Sequence, residues 1–549
     1  MTSMATNFTL ILVLFVIKWS ASDSTCPSYC ECYSLRTQIV ADCTSKMLAA
    51  VPNGLPLNIT TLRLGYNNLT QIHNSTFAGK SLSLLERLEI NDNLLCYIEP
   101  GAFHELTRLT RLDLENNRIR LLHPDIFLSL SRLWKLILNG NPLALQEDGP
   151  FLVAPQLKVL ELERCEIGEV PPLAFQNLSE LHTVRLANNR LTTVNLQGPY
   201  LMHVAVGSNS LSEDGLVLNS PALIVLDLSE CGLRRLPENV LRTTPNLQRL
   251  KLEQNLLSSL DVGILSMIPH LRMINLTGNE VTFLHVDIFQ HNNELTHLDL
   301  SKNPLQLSTD GGFIHSSSIQ VLSLAACNLS RVSAETFRGM PNITSLKLSD
   351  NKLRSLSNLT FSVLPNLEYL SLDGNRIFTV LADFVSGLSK LVYLNLSRNP
   401  IQLSTDEPFL KSNSLNELIL DECFLETVPA TTLRLLPNLT SLSLSNNQLP
   451  TLDVQTVQVV SDLNHLAIDG NPLICDCPLL PLWQWCSIRQ CEKSIVRCKR
   501  PRGRSWVVLS DLVCEDGSVS PSEDFDIDLE VEMVDIPIPS RRPPERLTI

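Results

Sequence analysis

One eleven-residue pattern recurs along most of this chain and limits what the chain can fold into. Its clearest copy, residues 439–449, reads LTSLSLSNNQL, with leucine at positions one, four, six and eleven and asparagine at position nine. The pattern occurs eighteen times, and fourteen of the seventeen steps between copies are 24 residues long. A fixed period of this length indicates stacked supersecondary units, each of which buries its apolar face against the next. The chain is therefore predicted to fold as a solenoid.

The spacing of the leucines predicts how each copy folds. In Leu346-Lys347-Leu348 the alternation is that of a strand, so both leucines face inward and the lysine faces outward. Position nine follows the strand, where the chain must turn, and an asparagine there offers one acceptor and two donors to backbone groups without sheet partners. Cysteine, which is small and readily buried, replaces it four times. Position nine is occupied in turn by Asn67, Asn93, Asn117, Asn141, Cys165, Asn189, Asn209, Cys231, Asn255, Asn279, Asn303, Cys327, Asn351, Asn375, Asn399, Cys423, Asn447 and Asn471.

The pattern LxxLxLxxNxL at this period resembles the leucine-rich repeat family in its extracellular subtype. The resemblance covers about residues 26–514 and implies an α/β horseshoe solenoid whose concave side is a parallel β-sheet. Eighteen strands would give a sheet roughly 80–90 Å along its arc. Toll-like receptor ectodomains, variable lymphocyte receptors, Slit-type guidance proteins, chondroadherin-like matrix proteins and the acid-labile subunit of growth-factor complexes share these parts. The resemblance therefore implies extracellular recognition without choosing a ligand.

Ten of the fifteen cysteines lie at the two ends of the array. They resemble the cysteine-rich caps of extracellular leucine-rich repeat proteins, which cover the open sheet edge and the end of the leucine core. The family pairing implies Cys26–Cys32, Cys30–Cys43, Cys475–Cys498 and Cys477–Cys514, and we infer Cys486–Cys491 for the remaining pair. Zinc is the competing interpretation, but no histidine is interleaved, and the secreted character of the chain favours disulfides.

Five cysteines lie outside these clusters. Cys165, Cys231, Cys327 and Cys423 occupy position nine and are predicted to be buried free thiols. Cys96 is the odd cysteine and follows a leucine at a turn. It is either an unpaired thiol, which we favour, or a partner for a second chain.

The first residues predict a secretory signal rather than part of the fold. An apolar run from Phe8 to Ile17 is followed by small residues with cleavage expected near Ala21, although no basic residue precedes the run and Lys18 follows it. The predicted divisions are a signal peptide at 1–22, an amino-terminal cap at 23–57, repeats at 58–473, a carboxy-terminal cap at 474–516 and an acidic disordered tail at 517–549. No apolar stretch of 18 residues follows the array. We therefore expect a protein of the extracellular space or cell surface, associated with membranes only through a partner or a missing anchor.

Glycosylation sequons agree with secretion and restrict the binding surface. They begin at Asn58, Asn68, Asn74, Asn177, Asn275, Asn328, Asn342, Asn358, Asn395 and Asn438. Asn275 and Asn395 lie between the two leucines of a strand, so they are predicted to project from the concave sheet. Glycans there would obstruct ligands in the second half of the array.

The concave face of the first third is the predicted ligand surface, because its outward positions carry charges and no sequon. These positions hold Arg87, Glu89, Arg111, Asp113, Glu115, Lys135, Glu161 and Glu163, with Trp134 beside them. An exposed tryptophan among charges is a typical interface anchor, although packing of Trp134 on neighbouring repeats explains it equally well. Tyr369 and Tyr393, at equivalent positions of adjacent repeats, form a second candidate patch. Trp134→Ala and Asp113→Arg are expected to weaken ligand binding.

The carboxy-terminal cap carries a basic loop that suggests another class of ligand. Lys499, Arg500, Arg502 and Arg504 fall within six residues, and residues 515–549 beyond them have a net charge of −7, half of the −14 of the whole chain. The loop is predicted to bind sulfated glycan or the acidic tail, whereas a solvated loop is the simpler interpretation. The acidic balance argues against nucleic acid as a partner.

Nothing in the sequence indicates a reaction centre. HExxH, GxSxG and GxxxxGK[ST] motifs are absent, and the eleven histidines are scattered along the repeats. No enzyme activity and no cofactor are therefore expected. The predicted function is recognition of an extracellular protein or microbial ligand on the concave face. The alternative is a matrix component that binds collagen or glycosaminoglycan through the basic loop.

Overall fold

The computed structural model describes residues 17–18, 26–80, 82–307, 312–357, 359–489, 496–512 and 514. Within these residues, each copy of the pattern contributes one three-residue strand to a single parallel sheet, in chain order. The strands are Thr61–Arg63, Arg87–Glu89, Arg111–Asp113, Lys135–Ile137, Val159–Glu161, Thr183–Arg185, His203–Ala205, Val225–Asp227, Arg249–Lys251, Met273–Asn275, His297–Asp299, Val321–Ser323, Ser345–Lys347, Tyr369–Ser371, Tyr393–Asn395, Glu417–Ile419, Ser441–Ser443 and His465–Ala467. The prediction of a leucine-rich repeat solenoid is confirmed.

The core is a continuous ladder because neighbouring strands pair without slipping. Leu322, Leu346 and Leu370 lie opposite one another in successive strands, and all three are fully buried. Phenylalanines of the crossing segments stack in the same way: the ring of Phe103 lies 5.9 Å from that of Phe77 and 5.8 Å from that of Phe127, between centroids. Each repeat therefore buries its apolar residues against the next.

The asparagine side chain at position nine forms hydrogen bonds to the preceding repeat, as its donors and acceptor predict. The amide nitrogen of Asn447 donates to the carbonyls of Leu420 at 2.8 Å and Leu444 at 2.9 Å. Its oxygen accepts the backbone N–H groups of Cys423 at 2.8 Å and Leu425 at 3.1 Å. Asn447 is only 5% exposed, so these bonds satisfy backbone groups that water does not reach.

Turns and short helices connect the strands of the repeats, and three further helices, Cys477–Leu479, Leu480–Arg489 and Trp506–Asp511, lie in the carboxy-terminal cap. The α-helices are Glu238–Thr243, Ala334–Phe337, Val454–Gln458 and Leu480–Arg489, and the 3-10 helices are Pro124–Phe127, Ile264–Met267, Ala382–Val385, Cys477–Leu479 and Trp506–Asp511. Two small parallel sheets lie outside the main sheet, one of Gln71–Ile72 with Tyr97–Ile98 and one of Val194–Gln197 with Leu216–Asn219. The second lies where the steps between copies shorten to 20 and 22 residues. Extended backbone covers more distance per residue than helix, so the shorter convex segment still crosses the core, and the strands of the main sheet stay in register there.

Disulfide-linked elements lie at both ends of the array. At the amino end, Glu31–Leu35 and Gln38–Asp42 form a hairpin that joins the main sheet, and Ile17–Lys18 pairs antiparallel with its outer strand. The disulfides are Cys26–Cys32, Cys30–Cys43, Cys475–Cys498 and Cys477–Cys514. These are the four pairs that the resemblance implies. Of the fifth predicted pair, Cys486 is buried, whereas Cys491 lies outside the described residues, as do most of the predicted signal segment and the whole predicted acidic tail.

Candidate functional site

The concave face presents two columns of side chains, one on each side of the buried central residue of every strand. In the first third, the leading column holds Arg87, Arg111 and Lys135, which lie opposite one another in register. The second column holds Glu89 and Asp113 on the first two of these strands. A row of cations beside a row of acids therefore crosses these repeats, and this arrangement follows directly from the strand period.

Most of these charges are already paired with each other. The Nζ of Lys135 lies 2.7 Å from the Oε1 of Glu161, and the two side chains are only 21% and 13% exposed. Arg164 bonds Glu115 at 2.8 Å, and Glu89 lies 3.3 Å from Arg63. The partly buried pair of Lys135 and Glu161 fixes the shape of the surface there, because breaking it leaves a desolvated charge.

Asp113 was predicted to contact a ligand, but its side chain is buried and already has partners. It is 8% exposed, accepts the backbone N–H of Glu115 at 3.1 Å and pairs with Arg111 at 3.4 Å. Reversing its charge would disturb the sheet itself, so Asp113→Arg does not report on ligand contact. Arg87 and Trp134 are exposed, Trp134 to 44%, which leaves them as the accessible members of the predicted patch.

The second predicted patch is present as a pair of neighbouring rings. The centroids of Tyr369 and Tyr393 lie 6.0 Å apart, and Tyr369 is 50% exposed. Burial and the nearby Glu417 raise the pKa of Tyr393 above its usual value. The adjacent Asn395 is half-buried, and its side-chain oxygen accepts the N–H of Ser397 at 2.9 Å.

Asn275, the other sequon asparagine on the concave face, also has a hydrogen-bonded side chain. Asn275 is half-buried, donates to Glu253 at 2.6 Å and accepts the N–H of Thr277 at 3.0 Å. Both concave asparagines therefore lie on the sheet, as predicted, with hydrogen-bonded side chains. Seven other sequon asparagines are exposed: Asn58, Asn68, Asn74, Asn177, Asn328, Asn342 and Asn438. Asn358 lies outside the described residues.

The basic loop of the carboxy-terminal cap is a turn bonded to the last repeat. The N–H of Lys499 donates to Leu473 at 2.7 Å, and the carbonyl of Arg500 accepts from Cys475 at 2.8 Å. The side chains of Lys499, Arg500, Arg502 and Arg504 are all exposed. Lys499 and Arg500 also line an open cavity of about 660 Å³ together with Glu426 and Gln448.

A depression in the concave face was not predicted from the sequence. It lies over the strand His203–Ala205, has a volume of about 140 Å³ and is bordered by Arg185, Asp227 and Lys251. A signal that could have revealed it is Ala205, whose outward strand position carries arginine in the preceding repeat and aspartate in the following one.

The cysteines of the repeats are a further candidate set of functional groups. Cys165, Cys231, Cys327 and Cys423 are buried at position nine, whereas Cys96 is exposed. Burial raises the pKa of Cys165 and Cys327 to about 11 and that of Cys231 and Cys423 to about 12. No grouping of side chains suited to hold a metal ion occurs among the described residues. Within the same residues, no helix has the length and apolarity needed to cross a membrane.

Known proteins match this chain through its repeats. Leucine-rich repeat-containing protein 3 of Danio rerio is 34% identical over 92 residues, which are 17% of this chain and 34% of that protein. The leucine-rich repeat and immunoglobulin-like domain-containing nogo receptor-interacting protein 1 of Xenopus tropicalis is 33% identical over 93 residues, 17% of this chain and 14% of that protein. The chain thus spans about a third or less of the length of these relatives.

A similar solved structure is that of TLR13 in complex with ssRNA13, which covers 83% of this chain and 95% of that chain at 19% identity and a TM-score of 0.36. The sequence model described as leucine rich repeat matches residues 57–119, 83–143, 221–281, 269–329, 317–377 and 413–473, more than half of the chain. Leucine-rich repeats are binding modules rather than enzymes. The repeat period, the single parallel sheet and this match together show that the chain belongs to the leucine-rich repeat family.

Proposed function

We propose that this protein is an extracellular recognition module that binds a protein or microbial ligand on the concave face of its first third. The observation that supports this proposal is the accessibility of Arg87 and Trp134 beside concave charges of the first third that are held in ion pairs. A rigid, preorganised surface loses little side-chain entropy when it binds. A large aromatic residue and an arginine are the residue types that most often dominate binding energy.

The extracellular setting is supported by the four disulfides and by seven exposed sequon asparagines. It is tested by expressing the full chain with a carboxy-terminal tag and measuring intact protein in the medium and on cells. Glycosylated protein in the medium is the expected result. Retention of an unglycosylated chain inside the cell would contradict the extracellular setting.

The ligand surface is tested with an arrayed panel of extracellular proteins, probed with the wild-type chain and two variants. Arg87→Glu with Trp134→Ala should weaken binding to any partner found by about 2 kcal/mol or more, because both side chains would be removed from the contact. The matched control is Arg120→Glu with Phe283→Ala, which changes an exposed arginine and an exposed aromatic residue outside the repeat strands. Equal affinity of both variants for the partner would remove the proposal for this surface.

A second candidate function is binding of a matrix glycosaminoglycan by the carboxy-terminal cap, favoured by the four exposed cations of its loop. Clustered lysine and arginine bind polyanions with strong dependence on salt. Retention on heparin above physiological salt, lost on Arg502→Glu with Arg504→Glu, is the result expected of this function. Retention that the variant leaves unchanged would exclude the loop as the binding site.

A further inference from the structure

The depression over His203–Ala205 has a composition that the rest of the concave face lacks. Its floor is the methyl group of Ala205, which lies in register between Arg185 on one side and Asp227 on the other. This short side chain leaves space between its longer neighbours, in which a ligand group could approach the sheet itself.

Two exposed arginines near this space are not held in a close ion pair. Arg249 is exposed and takes part in no ion pair among the described residues, and the side chain of Arg185, which is 53% exposed, pairs with Glu163 only at 3.7 Å. The carboxylate that borders the space, Asp227, already has partners. It accepts a hydrogen bond from the hydroxyl of Ser229 at 2.6 Å and pairs with the Nζ of Lys251 at 3.0 Å. Burial alone would raise the pKa of Asp227, but these bonds outweigh it and lower the pKa.

His203 is exposed between these cations. Burial, Arg185 and Arg249 together lower its pKa below the ordinary value. The imidazole is therefore mostly neutral at physiological pH and has no anion to stabilise its charged form. The charged groups around it are Arg185 and Asp227 on the two adjacent strands and Arg249 and Lys251 on the next strand, and the charge of Asp227 is offset by Lys251.

We propose that this depression is a binding site for an acidic side chain of a protein ligand, held by Arg185, His203 and Arg249. The volume of about 140 Å³ admits one small group. Arg185 on its border and Arg249, two strands away from His203, are complementary in charge to a carboxylate, and guanidinium groups match carboxylate geometry. The site rests on the proposed function, since it adds a second contact region to the same concave face.

The site predicts a definite dependence on pH. A bound carboxylate stabilises the imidazolium form, so it raises the pKa of His203, and binding takes up a proton. The affinity for an acidic ligand should therefore increase as the pH falls from about 7.5 to about 6, while the ligand carboxylates stay ionised. Removing the imidazole should abolish this increase and leave the binding at the higher pH largely unchanged.

The test uses fluorescently labelled hexaglutamate and the full chain, with anisotropy measured at low salt and hexaglutamine as the uncharged control. We expect saturable binding that strengthens several-fold at the lower pH. Arg185→Glu with Arg249→Glu should weaken it by roughly tenfold or more. His203→Gln should remove the pH dependence. Ala205→Leu fills the depression without changing any charge and should also weaken binding.

The basic cap loop provides the necessary control, because it could bind the same probe. Arg502→Glu with Arg504→Glu should leave the pH-dependent component unchanged if the concave site is responsible. Loss of binding only in this cap variant, or a pH response that persists in His203→Gln, would overturn the proposal. This test does not depend on the ligand panel. If the panel finds a partner whose binding is weakened by Arg87→Glu with Trp134→Ala, the proposed function stands even if the test of the acid site fails.

Discussion

A single side chain at position nine joins each repeat to the one before it. Asparagine does so with two donors and one acceptor, whereas cysteine supplies only a weak donor: the thiol of Cys423 lies 3.4 Å from the carbonyl of Leu396. The cysteine cannot replace the oxygen that Asn447 directs at two backbone N–H groups. The two residues are therefore alternatives for size and donor capacity but not for acceptor capacity.

Asn447→Ala should lower the free energy of unfolding of the last repeats by about 3 kcal/mol, because it leaves several buried backbone groups without partners. Hydrogen exchange measured by mass spectrometry should show faster exchange of the amides of Cys423 and Leu425. The control is Gln448→Ala, which removes the exposed side chain of the next residue. Unchanged exchange at both amides would show that the asparagine bonds contribute little.

The cysteines at position nine should be chemically inert in the folded protein. With a pKa raised by burial to about 11 or 12, the thiolate fraction at pH 8 is about one in a thousand or less. Iodoacetamide at this pH should therefore label Cys96, which is exposed, and leave Cys165, Cys231, Cys327 and Cys423 unlabelled until the chain is denatured. Peptide mapping measures both. Equal labelling of all five in the native protein would contradict the buried ladder.

At the scale of the element, local turns compensate for the missing acceptor. Three of the four ladder cysteines follow a repeat in which the asparagine is followed by proline: Cys165, Cys327 and Cys423. In those preceding repeats, the N–H groups of Leu143, Leu305 and Ile401 each donate at 2.8 Å to the carbonyl of their own asparagine, two residues earlier. The turn supplies the oxygen that cysteine lacks, so the substitution costs less than its chemistry alone suggests.

The carboxy-terminal cap should stabilise the end of the sheet through the long loop that it closes. The disulfide between Cys477 and Cys514 spans 37 residues, for which loop-closure entropy predicts about 4 kcal/mol. Cys477→Ser with Cys514→Ser should therefore increase hydrogen exchange in the last repeat strand, His465–Ala467, and leave the first, Thr61–Arg63, protected. Exchange that is unchanged at His465–Ala467 would mean that packing alone closes this end.

At the scale of the whole molecule, stability should be local because each repeat contacts its neighbours. Phe103→Ala and Phe361→Ala each remove a buried ring from a stack, at an expected cost of about 3–5 kcal/mol. Hydrogen exchange should rise around the substituted repeat and remain low at the other end of the array in each variant. Each variant is the control for the other. A uniform increase along the chain would show that the array unfolds as one unit instead.

The sequence alone was enough to predict the period, the inward leucines, the asparagine ladder and, through the family resemblance, the parallel sheet. Each of these depends on contacts between equivalent positions one repeat apart. The four described disulfides agree with pairs that only a family resemblance implied. The accessibility of the concave charges required the tertiary structure. Asp113 is occupied by Arg111 and by a backbone N–H, whereas Arg87 is exposed, although both occupy outward positions in the pattern. Whether a charge is free depends on side chains from neighbouring strands, and the depression at His203 arises where the short side chain of Ala205 lies between the longer Arg185 and Asp227.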